Sequence, residues 1–282
     1  MDVVLAIVGQ FGLFGLLTLG LAVIFAATRV VNLAQTDLAM VGAYVAATAT
    51  GTAFGWRVGL ALVAVLPVLL VIERLLLRRA FADGLAAMLV TWGVGMALRQ
   101  CAELLFTSTP RTVAVPVAGT VDVLGAPYPA YRIVCGLVAV AVIGVVLLAA
   151  YRTRWGLALR AVADNPDMAA LLGTDPRRMR SVTFVVGGSL AVLAGALYSP
   201  VLAVSPTMGF DLLVPVFFGL LLSPPGGFGR AVVAALLLAG LSTLLRQWLT
   251  DTVAEAVFYT VLVAVAALRS RPWIKRLLSW SH

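Results

Sequence analysis

Charged side chains inside otherwise apolar segments are the residues of this sequence best suited to do chemistry. Arg99 and Glu103 stand four residues apart within the apolar segment 85–106, and Asp37 and Asp211 each open a shorter apolar segment. A charge at the centre of a membrane helix costs about 2.5–3.5 kcal/mol, so such residues are functional candidates by default. The spacing predicts an Arg99–Glu103 pair on one helix face, either functional or simply steadying the fold. Asp37 and Asp211 are candidates for a transport pathway or ordinary interfacial acids.

The sequence contains no set of residues that would catalyse covalent chemistry. The only histidine is His282, and Cys101 and Cys135 fall in apolar stretches where small core residues are expected. Lys275 is the only lysine, and no G-x-x-x-x-G-K-[ST] motif surrounds it, so the sequence has no nucleotide-binding P-loop. We therefore expect no enzymatic activity, no metal and no cofactor, and any ATP that powers this chain must be bound by another subunit.

The composition predicts an all-α, polytopic membrane protein with one transmembrane domain over residues 1–282. Hydrophobic residues make up 62% of the chain and the mean hydropathy is +1.07, beyond the range of soluble domains. At about 20 apolar residues per crossing, we expect about 8–9 transmembrane segments and no soluble domain. The predicted apolar segments are 4–27, 38–54, 58–77, 85–106, 131–150, 182–203, 210–222, 231–249 and 255–268.

Basic residues flank the apolar segments unequally and predict the topology. In a soluble protein, a net charge of +8 would suggest binding to nucleic acid. Here the basic residues flank apolar segments and are expected to set the membrane topology, so no nucleic-acid partner is expected. The N-terminus lacks a basic leader, so we expect its apolar run to be a retained span. Positive charge marks the cytoplasmic face, which predicts an outside N-terminus and a cytoplasmic C-terminus. One face receives Arg29, Arg74, Arg78, Arg79, the arginines of 151–180, Arg230, Arg269, Arg271, Lys275 and Arg276, and the other Arg57, Arg111 and Arg132. Arg246 is expected to snorkel near a span end.

Two of the apolar segments are weak as simple spans. Segment 38–54 is rich in glycine and threonine, and segment 210–222 is short, contains Pro215 and ends in a Pro/Gly-rich stretch. Short or interrupted segments in two halves of a transporter indicate a transport site formed by broken helices, although glycines also permit close helix packing. The predicted pathway residues are Asn32, Gln35, Asp37, Gly42, Tyr44, Pro206, Gly209 and Asp211.

Residues 151–180 form a long charged loop between apolar segments. Asn165 and Pro166 suit the N-cap and first position of a helix, Asp167 suits its first turn, and Gly173 suits the position just past its end. The pattern predicts a helix over about 166–172 that is too short to persist alone. It must dock either on its own membrane domain or in a cleft of a cytoplasmic partner. The predicted coupling residues are Arg160, Ala163, Asp164, Asn165, Met168, Leu171, Leu172 and Gly173.

Three ordered motifs resemble one transporter family. The 156–174 loop continues into Phe184-Val-Val-Gly-Gly-Ser-Leu-Ala-Val-Leu-Ala-Gly195, Val31-Asn-Leu-Ala-Gln35 is followed by Gly42-Ala-Tyr44, and Pro206-x-x-Gly209 comes later. Together they resemble the permease subunits of branched-chain amino acid ABC importers, over roughly residues 5–270. Gln35-Thr36 stands where that family has His-Gly. Permeases for urea, short amides and other small solutes share these motifs.

The resemblance implies a permease of the bacterial inner membrane that translocates a small polar solute, a branched-chain or related amino acid first among them. It also implies four kinds of association: a second permease as a heterodimer, two ATP-binding subunits, an extracytoplasmic solute-binding protein and the lipid bilayer. Two other functions stay open from the residues alone. One is a stand-alone secondary transporter or channel, and the other is a membrane assembly protein that transports nothing.

Overall fold

The computed structural model describes residues 2–49, 51–77, 83–117, 119–123 and 126–270, and most of these residues are helical. The helices are α1 (Asp2–Thr28), α2 (Gln35–Thr48), α3 (Phe54–Val71), α4 (Gly84–Phe106), α5 (Ala130–Arg152), α6 (Arg154–Asp164), α7 (Pro166–Leu171), α8 (Pro176–Tyr198), α9 (Met208–Leu221), α10 (Phe228–Trp248) and α11 (Asp251–Ser270). A π-helical turn, Ile72–Leu77, prolongs α3, and a small antiparallel hairpin of β1 (Thr120–Val123) and β2 (Ala126–Pro129) precedes α5.

The predicted all-α membrane fold is confirmed. Each predicted apolar segment corresponds to a helix, and six described helices (α1, α3, α4, α5, α8 and α10) are long and apolar enough to cross a membrane. The two segments predicted to be weak form α2 and α9, each of 14 residues. At 1.5 Å per residue such a helix spans about 21 Å, short of the roughly 30 Å hydrocarbon layer.

Helix α1 lies at the centre of the bundle. Its apolar stretch is 94% buried, and it packs against α5, α8, α9 and α10. By contrast, only 22–28% of the corresponding stretches of α3, α4 and α5 is buried in the single chain. A helix that is apolar on all sides suits the middle of a bundle, whereas an apolar exposed face suits lipid or a partner subunit.

Glycines of α8 bring three helix backbones close together. A Cβ at Gly187 would collide with the carbonyl oxygen of Gly20 in α1, and a Cβ at Gly195 would collide with that of Ala39 in α2. From the α2 side, a Cβ at Gly42 would meet the Val192 carbonyl. Small residues at helix crossings allow this approach in membrane proteins, where dispersion and hydrogen bonding replace the hydrophobic effect.

Most of the described basic residues lie at one of the two ends of the bundle, whereas Arg99 lies between them. At one end, called here the arginine-rich end, Arg29 donates a hydrogen bond to the carbonyl oxygen of Ala163, and Ser181 hydrogen-bonds Glu73 next to Arg74. At the opposite end, Arg111 pairs through its backbone with Val204, and Phe54 packs edge-on against Tyr131 near Arg57 and Arg132. Which end faces the cytoplasm stays a prediction. Arg78, Arg79, Arg271, Lys275 and Arg276 lie outside the described residues.

Three boundaries, two in α2 and one in α8, differ from the sequence prediction. Helix α2 begins at Gln35 rather than 38 and ends at Thr48 rather than 54, and α8 begins at Pro176 rather than 182. Hydropathy marks where apolar residues begin, whereas a helix begins where its first N–H groups find a cap. The Asp175 carboxylate accepts the Arg177 N–H at 2.9 Å, so α8 includes the three arginines that were expected in the loop.

Candidate translocation site and coupling element

The first turns of the two short helices meet near the middle of the bundle. Asp37 lies in the first turn of α2 and Gly209 in the first turn of α9. A Cβ at Gly209 would stand only 2.8 Å from the Asp37 Oδ1, so glycine leaves the space in which the carboxylate sits. Gly95, at the midpoint of α4, leaves similar space for the other carboxylate oxygen. The two segments predicted to be broken helices are thus brought together at Asp37.

Arg99 of α4 is the partner of Asp37. The Nε of Arg99 lies 3.2 Å from the Asp37 Oδ1, and their side chains are 12% and 5% exposed. The same Nε also donates to the Gly95 carbonyl oxygen at 3.2 Å. The predicted Arg99–Glu103 pair is therefore wrong: Glu103 is exposed, whereas Asp37 reaches Arg99 from another helix. Burying a carboxylate without a counter-charge costs more free energy than leaving one exposed to solvent. Arg99 therefore pairs with buried Asp37 rather than with exposed Glu103.

Two aromatic rings complete the surroundings of Arg99. Its guanidinium carbon lies 3.7 Å from the ring centroid of Phe210 and 5.5 Å from that of Trp92, and these two rings meet edge to face. A cation held over aromatic faces in a desolvated setting gains about 2 kcal/mol. The arginine is therefore fixed by a carboxylate from α2, a ring from α9 and a ring from its own helix.

Asn32 and Gln35 join α2 to α8 through buried hydrogen bonds. The Asn32 side chain accepts from the Ala34 N–H and donates to the Gln35 Oε1, each at 3.2 Å. The Gln35 amide then donates to the Gly187 carbonyl at 3.0 Å. Both side chains are nearly or fully buried, so in this conformation they hold the start of α2 in place.

The remaining predicted pathway residues divide between packing contacts and an open surface. Gly42 lies against the α8 backbone, Pro206 is buried, and Tyr44 stacks on Phe106 with ring centroids 4.7 Å apart. Asp211, by contrast, is exposed and lines a pocket between α1, α9, α10 and α11. The structure therefore brings Asp37 and Gly209 together, and it places Gly42 and Tyr44 in contacts of their own. Their role in the pathway stays a prediction.

The 151–180 loop contains the short capped helix that its sequence predicts. The Asn165 side chain accepts from the N–H groups of Asp167 and Met168 at 3.1 and 3.0 Å, and Pro166 occupies the first position of α7. Gly173 ends it with φ +87°, a value that glycine adopts without strain. The helix stops at Leu171, one residue earlier than expected.

The apolar side chains of α7 face outward in the single chain. Met168, Leu171 and Leu172 are 59%, 82% and 85% exposed, whereas Ala169 is buried against the rest of the loop. In the single chain, Ala169 packs into the core cluster, whereas these three side chains lie outside it, and the choice between docking on the membrane domain and docking on a partner stays a prediction. An exposed cluster of large apolar residues on a helix of six residues is typical of a surface that contacts a membrane or a partner protein.

Two contacts tie this loop to the membrane bundle. The Arg29 guanidinium reaches the Ala163 carbonyl at the end of α6, where cations are favoured by the helix dipole. Arg160 lies 5.3 Å from the ring centroid of Tyr151, whose hydroxyl accepts the Gly229 N–H at the start of α10. These contacts attach the loop to both α1 and α10. Of the other predicted coupling residues, Ala163 is buried and Asp164 is exposed.

The sequence comparison decides the family. Residues 3–266 match the family described as branched-chain amino acid transport system, permease component. This chain belongs to that permease family.

Curated relatives of this permease-family chain cover nearly its whole length. It is 26% identical to the probable branched-chain amino acid transport permease protein LivH of Methanocaldococcus jannaschii, over 94% of this chain and 92% of the relative. It is also 26% identical to the high-affinity branched-chain amino acid transport system permease protein LivH of Escherichia coli K12, over 89% of this chain and 88% of that protein. No solved structure gives a significant match.

Sequence reasoning about this permease-family member missed Trp92, Gly95 and Phe210. One signal was available, because Trp92 precedes Arg99 by seven residues, or two helical turns, and so shares its face. Nothing local indicates Phe210, which reaches Arg99 from a different helix. Gly95 looked like any other membrane glycine until the Asp37 carboxylate was found against it.

Proposed function

We propose that this chain is the transmembrane permease subunit of a bacterial ABC importer that carries a branched-chain or related amino acid across the inner membrane. It would work with a second permease subunit, two ATP-binding subunits and an extracytoplasmic solute-binding protein. Its family and the names of its LivH relatives support this proposal. In this scheme ATP is bound and hydrolysed by the partner, and the chain itself makes and breaks no covalent bond.

The exposed apolar face of α7 is the observation that carries the proposal. Leu171 and Leu172 leave more than four-fifths of their surface open, next to buried Ala169. A stand-alone transporter has no need for such a face on a helix of six residues, which requires docking to persist. We assign α7 to a cleft on the ATP-binding subunit.

Movement of the ATPase pair would reach the membrane through the two contacts of the loop. Closure would displace α7 and α6 together, and Arg29 would carry the displacement to the end of central helix α1. The Tyr151–Gly229 hydrogen bond would carry it to the start of α10. These two helices pack against each other and α1 also packs on α9, so a shift at the loop can alter the junction at Asp37.

The solute would pass beside the junction of α2 and α9. Polar and irregular backbone at membrane depth is tolerated only against protein or a cavity. The segments before the two short helices fit that description and converge on Asp37 and Gly209. We assign this junction a place along the pathway, where the ion pair would hold the two short helices until ATPase closure.

The test is ATPase capture by a Leu171→Asp variant in detergent, together with amino-acid uptake. Asp in the cleft would bury an unpaired charge, so we expect capture and uptake to be lost. A matched control is Val115→Asp, which introduces the same charge at an exposed apolar position near the opposite end. Normal capture and uptake by Leu171→Asp would overturn the assignment of α7 and favour a stand-alone transporter.

A further inference from the structure

Two connecting segments cross each other at the end of the bundle opposite α7. One is 107–113, which follows α4, and the other is 199–207, which leads into α9; together they are called here the strap. The N–H of Arg111 donates to the carbonyl oxygen of Val204 at 2.8 Å, and the N–H of Val204 donates back to that of Arg111 at 2.9 Å. The strap thus ties the end of α4 to the start of α9.

An aromatic contact near the strap repeats the Asp37–Arg99 contact two helical turns farther along. The rings of Tyr44 and Phe106 stack with centroids 4.7 Å apart and planes 11° apart. Tyr44 follows Asp37 by seven residues in α2. Phe106 likewise follows Arg99 by seven residues in α4. Because seven residues advance a helix by about 10.5 Å, the ion pair and the stack form two successive layers between two helices that run in the same direction.

The strap packs on this aromatic layer through a small apolar cluster that is separate from the main core. Val113 and Val204 of the strap are buried in it together with Tyr44, Met40 and Met208. These contacts cover the half of α2 that follows Asp37. The strap therefore closes the contact between α2 and α4 at the end that lies away from α7.

Three features make this closure easy to release. Among the described residues, the two hydrogen bonds between Arg111 and Val204 are the only ones that join the two segments of the strap. Thr107, where the strap leaves α4, has φ +67°, a strained value for a β-branched residue, and such strain is concentrated at switch regions. The buried hydroxyl of Tyr44 has no hydrogen-bond partner among the described residues, which costs the closed layer free energy.

We propose that the strap and the Tyr44–Phe106 stack form a gate, which closes the solute pathway in this structure and opens when Arg111 and Val204 separate. Thr107 is the hinge, because its backbone strain is relieved when the strap leaves its closed position. The inference rests on the proposed transport function, in which solute enters at the end opposite α7. A solute coming from that end meets the strap before it reaches the Asp37 junction.

A disulfide across the strap tests whether it must open. Arg111→Cys and Val204→Cys are combined in a Cys101→Ala background, which removes the exposed native thiol. Residues that exchange both hydrogen bonds in an antiparallel pair have Cα atoms about 5.5 Å apart, within the range of about 4.4–6.8 Å that disulfides span. We expect the oxidised pair to abolish L-leucine uptake by the reconstituted importer, and dithiothreitol to restore it.

The matched control places the same cross-link on the hairpin at this end of the bundle. Thr120 and Pro129 are exposed partners on β1 and β2, so a disulfide between cysteines at these positions should leave uptake unchanged. Normal uptake by the fully cross-linked strap would overturn the gate. Failure of the strap cysteines to cross-link would overturn the closed state from which the proposal starts.

A second measurement needs neither solute nor ATPase. Met40→Cys, in the same Cys101→Ala background, places a thiol at a fully buried position below the strap. Its rate of reaction with a water-soluble methanethiosulfonate reagent then reports opening of the full-length chain in detergent. Val204→Pro removes one hydrogen bond of the strap, so we expect this rate to rise about ten-fold. An unchanged rate would contradict the gate.

Two controls separate opening of the strap from unfolding. Val115→Pro introduces the same residue at an exposed position beyond the strap, and it should leave the rate at position 40 unchanged. Cys135 is buried in the main core and should stay unreactive in every variant. If Val204→Pro exposes Cys135, the milder Arg111→Ala replaces it: this change keeps both backbone hydrogen bonds but removes the guanidinium that lies 5.2 Å from the ring centroid of Phe106. An unchanged rate in Arg111→Ala would then count against the gate.

Failure of the gate and failure of the proposed function are distinguishable because they are read at opposite ends of the bundle. An unchanged labelling rate with intact, Leu171-dependent ATPase capture would remove the gate and leave the importer assignment standing. Faster labelling in Val204→Pro, with ATPase capture that ignores Leu171→Asp, would keep the opening strap and remove the importer assignment.

Discussion

The Asp37 carboxylate and the Arg99 guanidinium form an ion pair of 3.2 Å that joins the first turn of α2 to α4. The residues are 62 positions apart in the chain, and both are largely buried. Gly209 and Phe210 of α9 close over the same pair, so three helices depend on one electrostatic contact.

Breaking this pair should destabilise the protein. Removing one partner of a buried ion pair leaves an uncompensated charge and costs about 3–5 kcal/mol. We expect Asp37→Asn and Arg99→Gln to lower the thermal unfolding temperature in detergent, and the double variant to lose less than the sum of the two. Additive losses would contradict a direct pair, and Glu103→Gln is the control because its carboxylate is exposed.

Substitution of Gly42 can show whether this residue serves helix packing or the solute pathway. A Cβ there would collide with the Val192 carbonyl of α8, so Gly42→Val should disturb the helix crossing and lower the yield of folded protein. Forcing extra atoms into a packed site typically costs about 1–3 kcal/mol. Size-exclusion profiles and unfolding temperatures would measure the effect. Gly144→Ala is the matched control, since its Cβ would meet open space. A well-folded Gly42→Val variant with poor uptake would instead favour the pathway role.

Topology can be tested by labelling single cysteines. In a Cys101→Ala background, which removes the exposed native thiol, a cysteine at Ala170 should react only with reagent supplied from the cytoplasm. A cysteine at Thr120, on β1, should react only from outside. The expectation rests on the concentration of arginines at the end that carries α7. Labelling in the opposite sense would reverse the orientation of the whole bundle.

Arg29 should couple the loop to α1. Its side chain binds the carbonyl of Ala163, and its own φ is +57°, an uncommon value for a residue other than glycine. Arg29→Gly relieves the backbone conformation but removes the hydrogen bond, so we expect ATPase capture to persist while amino-acid uptake falls. Arg177→Gly, an exposed arginine of the same end, controls for loss of charge. Equal uptake by the two variants would exclude a coupling role for Arg29.

Local features of this protein were determined by the sequence itself. The cap at Asn165, the stop at Gly173 and the cap at Asp175 each involve backbone groups within a few residues, so the order of residue types is enough to predict them. Hydropathy likewise located the helices, and composition identified two weak spans, α2 from the glycines and threonines of its segment and α9 from the short length of its apolar run.

Contacts between distant segments were decided only by the tertiary structure. The helical spacing rule selected Glu103 for Arg99, since it sees only neighbours on one helix, but Asp37 gains more from the pair because it is buried. In the same way, sequence could say that α7 must dock but not where. Only the packed bundle shows that Ala169 is covered while Leu171 and Leu172 stay open, since burial depends on which surfaces other helices occupy.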